Sequence, residues 1–486
     1  MAYLIYTYTD WQAGLISPLR RELAHVGEDL FWIGRRSANL NSASIRGVRS
    51  SGGLRHSPDF AANGPLPLLD NPHEFERQHL SDYIYQMTRY SAGYSRSAHS
   101  LSYFHEYRDH FHLTARKLKQ LLLQKNISAV LFVNIPHTGD DYLLYRIAED
   151  MGLRVTLLYT APFPQRLFST PSLEAFGRLN PAQSAHPAPV GDVEEILAQI
   201  ANGVSSYMGG TKRRAPHSLR ERLSALRTLL TLAPSLLLSR HRDQAMGELI
   251  RLHRGLGKWS RLRRKIRRGH RARNFLTWLG TLSQDVSALP AKFVYVPLHF
   301  QPEMTTAPLG RQYCDQALAI EKLAACLPDD YAIVVKENPK QLEFHREKTF
   351  TERLRRIERV TVMHPTVDNM LLMERASVVA AITGTAGWEA IQHGKPALCF
   401  AQAWYHACPG LHNFVPGMDV QTVLDTPPAQ NTTETFLRRL LAHSHSGIVY
   451  EYHLTAADAA FISANQNALP KLLADLLRGD QPTTFA

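Results

Sequence analysis

Cysteine is scarce in this chain. Its 486 residues hold four, Cys314, Cys326, Cys399 and Cys408. None forms a CxxC pair, which argues against a disulfide scaffold or a zinc knuckle and fits a reducing compartment. Long apolar runs are missing too. No stretch reaches the roughly 18 to 20 apolar residues of a membrane span. The leading MAYLIYTYTDW has no basic n-region and meets Asp10 early, so it is read as a first strand and not as a signal peptide. The expectation is a soluble, cytoplasmic protein. HExxH, GxxxxGK[ST] and GxSxG are also absent, which leaves zinc-hydrolase, ATPase and serine-hydrolase readings unsupported and no metal expected. There is no short repeat and no low-complexity tract.

What is present is ordinary globular material. Hydrophobic residues make up 44% and charged residues 20%, which excludes disordered and fibrous classes. The length implies two large domains or three small ones, each able to bury a core without staples. The net charge of +12 is local. From Thr211 to Phe275 the chain carries 19 Lys or Arg against three acids, Glu221, Asp243 and Glu248, so the remainder is weakly acidic. A high overall isoelectric point is therefore poor evidence for nucleic-acid binding. Aromatic interleaving in the segment is also thin, with Trp259 and Phe275 near the densest charge, and no nucleic acid is expected as a partner.

Strand and helix signals alternate on both sides of that segment. Tyr3–Tyr8, Leu30–Ile33, Ala129–Val133 and Val155–Tyr159 are strand candidates. A turn is expected at Asp10–Gly14, a helix at Leu15–Val26, a long loop over 35–64, helical structure over His79–Lys125 and a helix at Asp140–Met151. A second series comprises Phe293–Val296, Ala332–Val335, Val360–Val362, Ser377–Ile382 and Ala397–Phe400. Ala457–Leu477 is expected to close the chain as a helix broken or kinked before Pro470. The fold expected is α/β: two Rossmann-like domains with a basic helical insert between them. The boundaries are 1–205, 206–290 for the insert, and 291–486 with the closing helix.

Three strand ends of the second series carry phosphate-compatible chemistry. In SVVAAITGTAGWEAI an apolar strand ends at Ile382, and Thr383, Gly384 and Thr385 lead into a helix containing Glu389. Small residues at a strand-to-helix turn leave backbone N–H groups open to an anion, two threonine hydroxyls can add hydrogen bonds, and a first-turn carboxylate suits ribose hydroxyls. In VYVPLHFQPEMTTAPLG the strand runs into a polar loop with His299, Gln301, Glu303, Thr305 and Thr306. In IVVKENPK it ends in Lys336, Glu337 and Asn338, where Lys336 would neutralise phosphate. Ligands of open α/β sheets lie outside such strand ends. In the first series, VNIPHTGDDYLLY sets His137, Asp140 and Asp141 between a strand and a helix. A carboxylate there serves as an N-cap, or as a base or nucleophile. Asp10 is a weaker candidate for the same chemistry.

YVPLHFQPEMTTAPLG, the KENP loop and TGTAGWEAI followed by HGKPALCF resemble the capsule polysaccharide biosynthesis proteins, a GT-B glycosyltransferase-like family that includes the capsular Kdo transferases. The resemblance covers roughly residues 293–410, and PHTGDDYLLYRIAEDMGL resembles a first-domain segment of related proteins. It implies a GT-B-like architecture with an acceptor-side first domain and a nucleotide-sugar-binding second domain. It further implies transfer of sugar to a glycan or glycolipid acceptor in capsule or lipopolysaccharide synthesis, without a cofactor. Asn338-Pro339 stands where the CMP-sugar enzymes carry a histidine–proline pair, so a CMP- or UDP-linked donor stays open. The phosphate contacts would map onto Thr383 and Thr385. The basic 211–275 segment, with apolar Leu229–Leu238, would then meet the anionic cytoplasmic face of the inner membrane. Alternatives are a sugar-nucleotide 2-epimerase and a non-catalytic polysaccharide-export or nucleic-acid-binding protein.

Overall fold

The structure, a computed structural model, describes residues 1–34, 47–49, 64–89, 103–182 and 283–486. Within them 302, 340, 342–345, 347, 451–452, 454–456 and 458 are excepted, and 194, 198, 274–275 and 277–281 are described besides. The bulk of the basic insert therefore lies outside the described residues.

The first half runs β1 (Ala2–Tyr6), α1 (Asp10–Ala13), α2 (Ile16–Ala24), β2 (Asp29–Gly34), β3 (Gly47–Arg49), α3 (Pro72–Arg89), α4 (Phe104–Gln124), β4 (Ile127–Phe132), α5 (Asp140–Asp150), β5 (Arg154–Thr160) and β6 (Arg166–Thr170). The second runs β7 (Phe293–Pro297), α6 (Gln316–Ala324), β8 (Ala332–Lys336), α7 (Lys348–Leu354), β9 (Val360–Met363), α8 (Asn369–Arg375), β10 (Val378–Ala381), α9 (Ala386–Gln392), β11 (Ala397–Cys399), β12 (Leu411–Asn413), α10 (Gln421–Leu424) and α11 (Thr432–His443). The chain then returns to the first half as β13 (His445–Ser446) and α12 (Ala459–Arg478).

Among the described residues the strands form a seven-stranded sheet, β13-β6-β5-β4-β1-β2-β3, and a six-stranded sheet, β12-β11-β10-β7-β8-β9. The second is parallel throughout. In the first, β1 to β5 are parallel and β6 pairs antiparallel with both β5 and β13. Both are doubly wound. Strands whose residues are buried on both faces, such as β1 (AYLIY) and β10 (VVAA), are what a sheet covered by helices on each side requires. These are the two Rossmann-like halves the sequence pattern implied. Each sheet has one point where strand order reverses, between β1 and β4 and between β7 and β10. Crevices at carboxyl strand ends open at such points.

Several elements differ from expectation. Asp10–Gly14 is not a plain turn: Thr9 and Gln12 form a capping box that nucleates the short α1. The helical stretch over 79–125 is two helices, α3 and α4. Within the expected 35–64 loop, 47–49 adds a strand beside β2. The closing helix, grouped by sequence with the second domain, belongs to the first. Leu469, Leu473 and Leu477 of α12 pack with Leu19 and Leu23 of α2 and with Leu131 of β4. Nor does Pro470 break it, since α12 runs through that residue and buries it. The tail of the expected insert also joins the second half, where Phe275 and Leu279 pack on Val362 of β9.

The halves meet through aromatic packing and a close backbone approach. Trp404, after β11, lies edge-on to Phe163 with ring centroids 5.3 Å apart. Gly177 has φ +87, and a Cβ there would sit 1.9 Å from the Ala403 carbonyl oxygen, so this junction requires glycine.

Candidate functional site

The β10–α9 turn builds one wall of a cleft of about 170 Å³ between the halves. Thr383, Gly384, Thr385, Ala386 and Glu389 line it. The hydroxyl of Thr383 donates to the Thr305 carbonyl at 3.1 Å, which ties the turn to the loop after β7. The Thr385 hydroxyl donates to Glu389 Oε1 at 3.1 Å, one turn along the helix. Tyr405 donates to the Gly384 carbonyl at 2.5 Å and fixes the turn from behind.

His299 sits at the reversal point of the second sheet. Its Nε2 accepts the Ile382 backbone N–H at 3.2 Å, bridging the ends of β7 and β10. The ring packs over Gly384, where a Cβ would meet it at 2.8 Å. Burial, and then the Arg346 guanidinium, push His299 down to about 3, so the ring is neutral at physiological pH. With Nε2 accepting, the proton resides on Nδ1. His299 therefore brings a neutral N–H donor to the cleft wall.

Arg346 organises the floor behind that ring and has no solvent exposure. It donates to the His299 carbonyl at 2.5 Å, to Gln301 Oε1 at 3.1 Å, and to both oxygens of Glu337 at 3.1 and 3.0 Å. A buried guanidinium needs such complete pairing, because leaving it uncompensated would cost several kcal/mol. Burial raises the Glu337 carboxyl above its ordinary range, with Arg346 opposing. Gln301 is equally committed. It donates to Tyr85 of α3 at 3.0 Å and to the Cys314 carbonyl, and exchanges hydrogen bonds with Gln341. Gln301 and Glu337 thus face the protein, while Asn338 lines the cleft. Lys336 is buried and directs its ammonium to Asn369 Oδ1.

In the first half, His137, Asp140 and Asp141 lie at the reversal point between β1 and β4. The Asp141 carboxylate accepts three backbone N–H bonds, from His137 at 2.8 Å, Thr138 at 2.6 Å and Tyr142 at 2.7 Å. It holds the β4–α5 turn together and has no exposure. His137 stacks on Tyr8 at 5.2 Å, and its Nδ1 bonds the Ile135 carbonyl at 2.6 Å. Asp140 is buried at the start of α5. None of the three lines the cleft; the first half contributes Tyr159 and Pro162 to it. Asp10 opens α1.

The structure therefore brings together His299, Asn338, Thr383, Gly384, Thr385 and Glu389, with Glu303 and Thr305 of the polar loop. Sequence reasoning missed Asn369, Trp404, Tyr159 and Arg346. Trp404 and Tyr159 were legible as residues at or just beyond a strand end. Arg346 carried no local signal, because its partners are remote in sequence. Among the described residues no group of three or more His, Cys, Asp or Glu side chains could hold a metal ion, and no helix is long and apolar enough to cross a membrane.

Residues 307–450, part of the second half, match the family model of capsule polysaccharide biosynthesis proteins. The match begins after the His299 loop and does not include the first-half segment around His137. No curated protein matches the chain. Among solved structures it is similar to the KpsC β Kdo 2,7 transferase of Thermosulfurimonas dismutans, at 10% identity over 96% of this chain and 99% of that one, with a TM-score of 0.32. It is similar to the UDP-GlcNAc 2-epimerase of Methanocaldococcus jannaschii at 11% identity over 90% and 99%, with a TM-score of 0.23. It is also similar to the Neisseria meningitidis UDP-GlcNAc 2-epimerase bound to UDP-GlcNAc, at 12% identity over 99% and 100%, with a TM-score of 0.21.

The histidines set an acid limit on stability. His79, His406 and His445 are pushed down to about 4, chiefly by burial, and His299 to about 3. Unfolded histidine titrates near 6.5, so between about pH 6.5 and 4 the unfolded chain binds more protons than the folded one. Stability present above pH 6.5 is then lost as pH falls through that window. Urea midpoints at pH 7 and pH 4.5 should differ, with the lower value at pH 4.5. Equal midpoints would contradict the neutral, buried assignment.

Proposed function

We propose that the protein is a glycosyltransferase of surface-polysaccharide synthesis, moving a sugar from a nucleotide-activated donor to a glycan or lipid-linked acceptor. The observation that carries this reading is the cleft at the β7/β10 reversal point. There a Thr-Gly-Thr strand-to-helix turn, a neutral histidine N–H donor and the Glu389 carboxylate line one space. The capsule-biosynthesis family match over 307–450 supports the same reading. In the proposed reaction an acceptor hydroxyl attacks the anomeric carbon and the nucleotide departs with its bonding electron pair. Backbone N–H groups of the turn and the Nδ1–H of His299 stabilise the charge on the departing phosphate, while the Thr383 and Thr385 hydroxyls, which donate to the Thr305 carbonyl and to Glu389, hold the turn in shape. Glu389 serves the ribose hydroxyls.

The acceptor proton needs a base, and Glu303 is the carboxylate of the β7 loop that lines the cleft. Asp141, with three backbone N–H partners, serves to hold its turn. Glu303→Gln should lower kcat by roughly 10²-fold or more with nucleotide binding retained. Asp141→Asn should instead lower the melting temperature with kcat changed much less. The reverse pattern would return the base to Asp141.

The reading as a whole is tested by thermal shift with CMP, UDP, GDP and ADP. One pyrimidine nucleotide should raise the melting temperature in a saturable way; no shift with any of the four contradicts the donor site. Incubation with UDP-GlcNAc alone separates the epimerase alternative, since turnover without an acceptor is isomerisation.

A lipid-linked acceptor would be met at a membrane surface, and the 211–275 segment supplies 19 Lys or Arg against three acids for that encounter. Each basic residue close to an anionic leaflet contributes about 1 kcal/mol. Co-sedimentation with anionic vesicles should occur at low salt and fade as salt rises. Protein left in the supernatant at low salt would remove membrane attachment from the account.

A further inference from the structure

Asn369 is the first residue of α8 and lines the cleft. Its Oδ1 accepts from the Tyr295 hydroxyl at 3.1 Å and from the ammonium of Lys336. An ammonium group has donors and no acceptor, so the atom it meets on a carboxamide is the oxygen. The orientation of Asn369 is thereby fixed from within the second half, with oxygen towards Lys336 and the NH₂ group on the opposite side. Lys336 itself is 4% exposed and stands behind Asn369, not on the cleft wall. A cation bonded to the carbonyl polarises the amide and strengthens its N–H donors.

We propose that Asn369 is a ligand-binding residue of the cleft whose NH₂ group donates to an acceptor oxygen of the nucleotide, and that Lys336 acts through it as a positioning residue. This rests on the cleft being a nucleotide site. It changes the chemistry expected of Lys336, from a cation in contact with phosphate to the group that orients an amide. It also makes the cleft wall at this end selective for a carbonyl or phosphoryl oxygen over an amino group.

Titration calorimetry with CMP, UDP, GDP and ADP tests the idea. Asn369→Ala should weaken the best-bound nucleotide about 3- to 10-fold, the range of one hydrogen bond. Asn369→Asp preserves acceptors for Lys336 and Tyr295 and so protects the fold, but has no donor; it should lose at least as much. Lys336→Met should weaken binding in the parent and add nothing in the Asn369→Ala background. Tyr295→Phe should give a smaller loss. Cytidine and uridine separate the two sources of the oxygen. A loss that persists with the nucleoside assigns it to the base or ribose, and a loss confined to nucleotides assigns it to the phosphate. Either assignment supports the proposal. Asn369→Ala and Asn369→Asp binding within about twofold of the parent overturn it. A Lys336→Met loss that multiplies in the Asn369→Ala background overturns the positioning role. If the parent binds none of the four nucleotides, the nucleotide reading of the cleft falls and this inference with it; parent binding with unaffected Asn369 variants removes this inference alone.

Discussion

The hydrogen bond from the Ile382 backbone N–H to His299 Nε2 is the contact on which the cleft depends. It spans the two strand ends where the second sheet reverses its order, and it fixes which ring nitrogen carries the proton. Its geometry requires the ring to lie directly over Gly384, which is possible because that residue has no Cβ. The turn that offers backbone N–H groups to an anion and the histidine that adds a donor beside them are therefore one unit. Arg346 closes the unit from below by holding the His299 carbonyl, Gln301 and Glu337. A charge buried this deeply costs several kcal/mol if left unpaired, so the loops after β7 and β8 are locked to one another.

That lock extends to the first half. Gln301 donates to Tyr85 of α3, Trp404 packs on Phe163, and the Ala407 N–H reaches the Gly177 carbonyl at 3.2 Å. The chain also crosses back, so that β13 and α12 complete the first sheet and its outer layer. The first half thus contains residues from both ends of the sequence. The cleft walls are held by these contacts between the halves.

Much of this was legible in the sequence, and the reason is periodicity. Strands such as β1, β7, β8 and β10 are short apolar runs bounded by polar turns. Thr383, Thr385, Glu389 and His299 lie just beyond such runs, where parallel sheets gather their carboxyl ends. The misses have equally physical causes. Strand β6 pairs antiparallel, and β13 is two residues long and paired across the chain, so neither forms part of a strand–helix–strand rhythm. The closing helix was visible as a helix, but which core it covers depends on its match to α2 and not on its own pattern. Gln301 and Glu337 stand at strand ends like the cleft residues, and only the position of Arg346, 45 and 9 residues away in sequence, turns them inward. Asp141 illustrates the ambiguity of an acid before a helix. Three backbone N–H groups claim its carboxylate, which sequence alone could not distinguish from an open base.

The central claim is that the β7/β10 crevice holds the phosphate of a nucleotide. A crystal structure of the protein with its best-binding nucleotide tests this most directly. The account predicts a phosphate oxygen within hydrogen-bond distance of the backbone N–H groups of 384–386 and of His299 Nδ1, with Nε2 still bonded to Ile382. A nucleotide bound elsewhere, or one seated in the cleft with its phosphate away from this turn and His299, would contradict it.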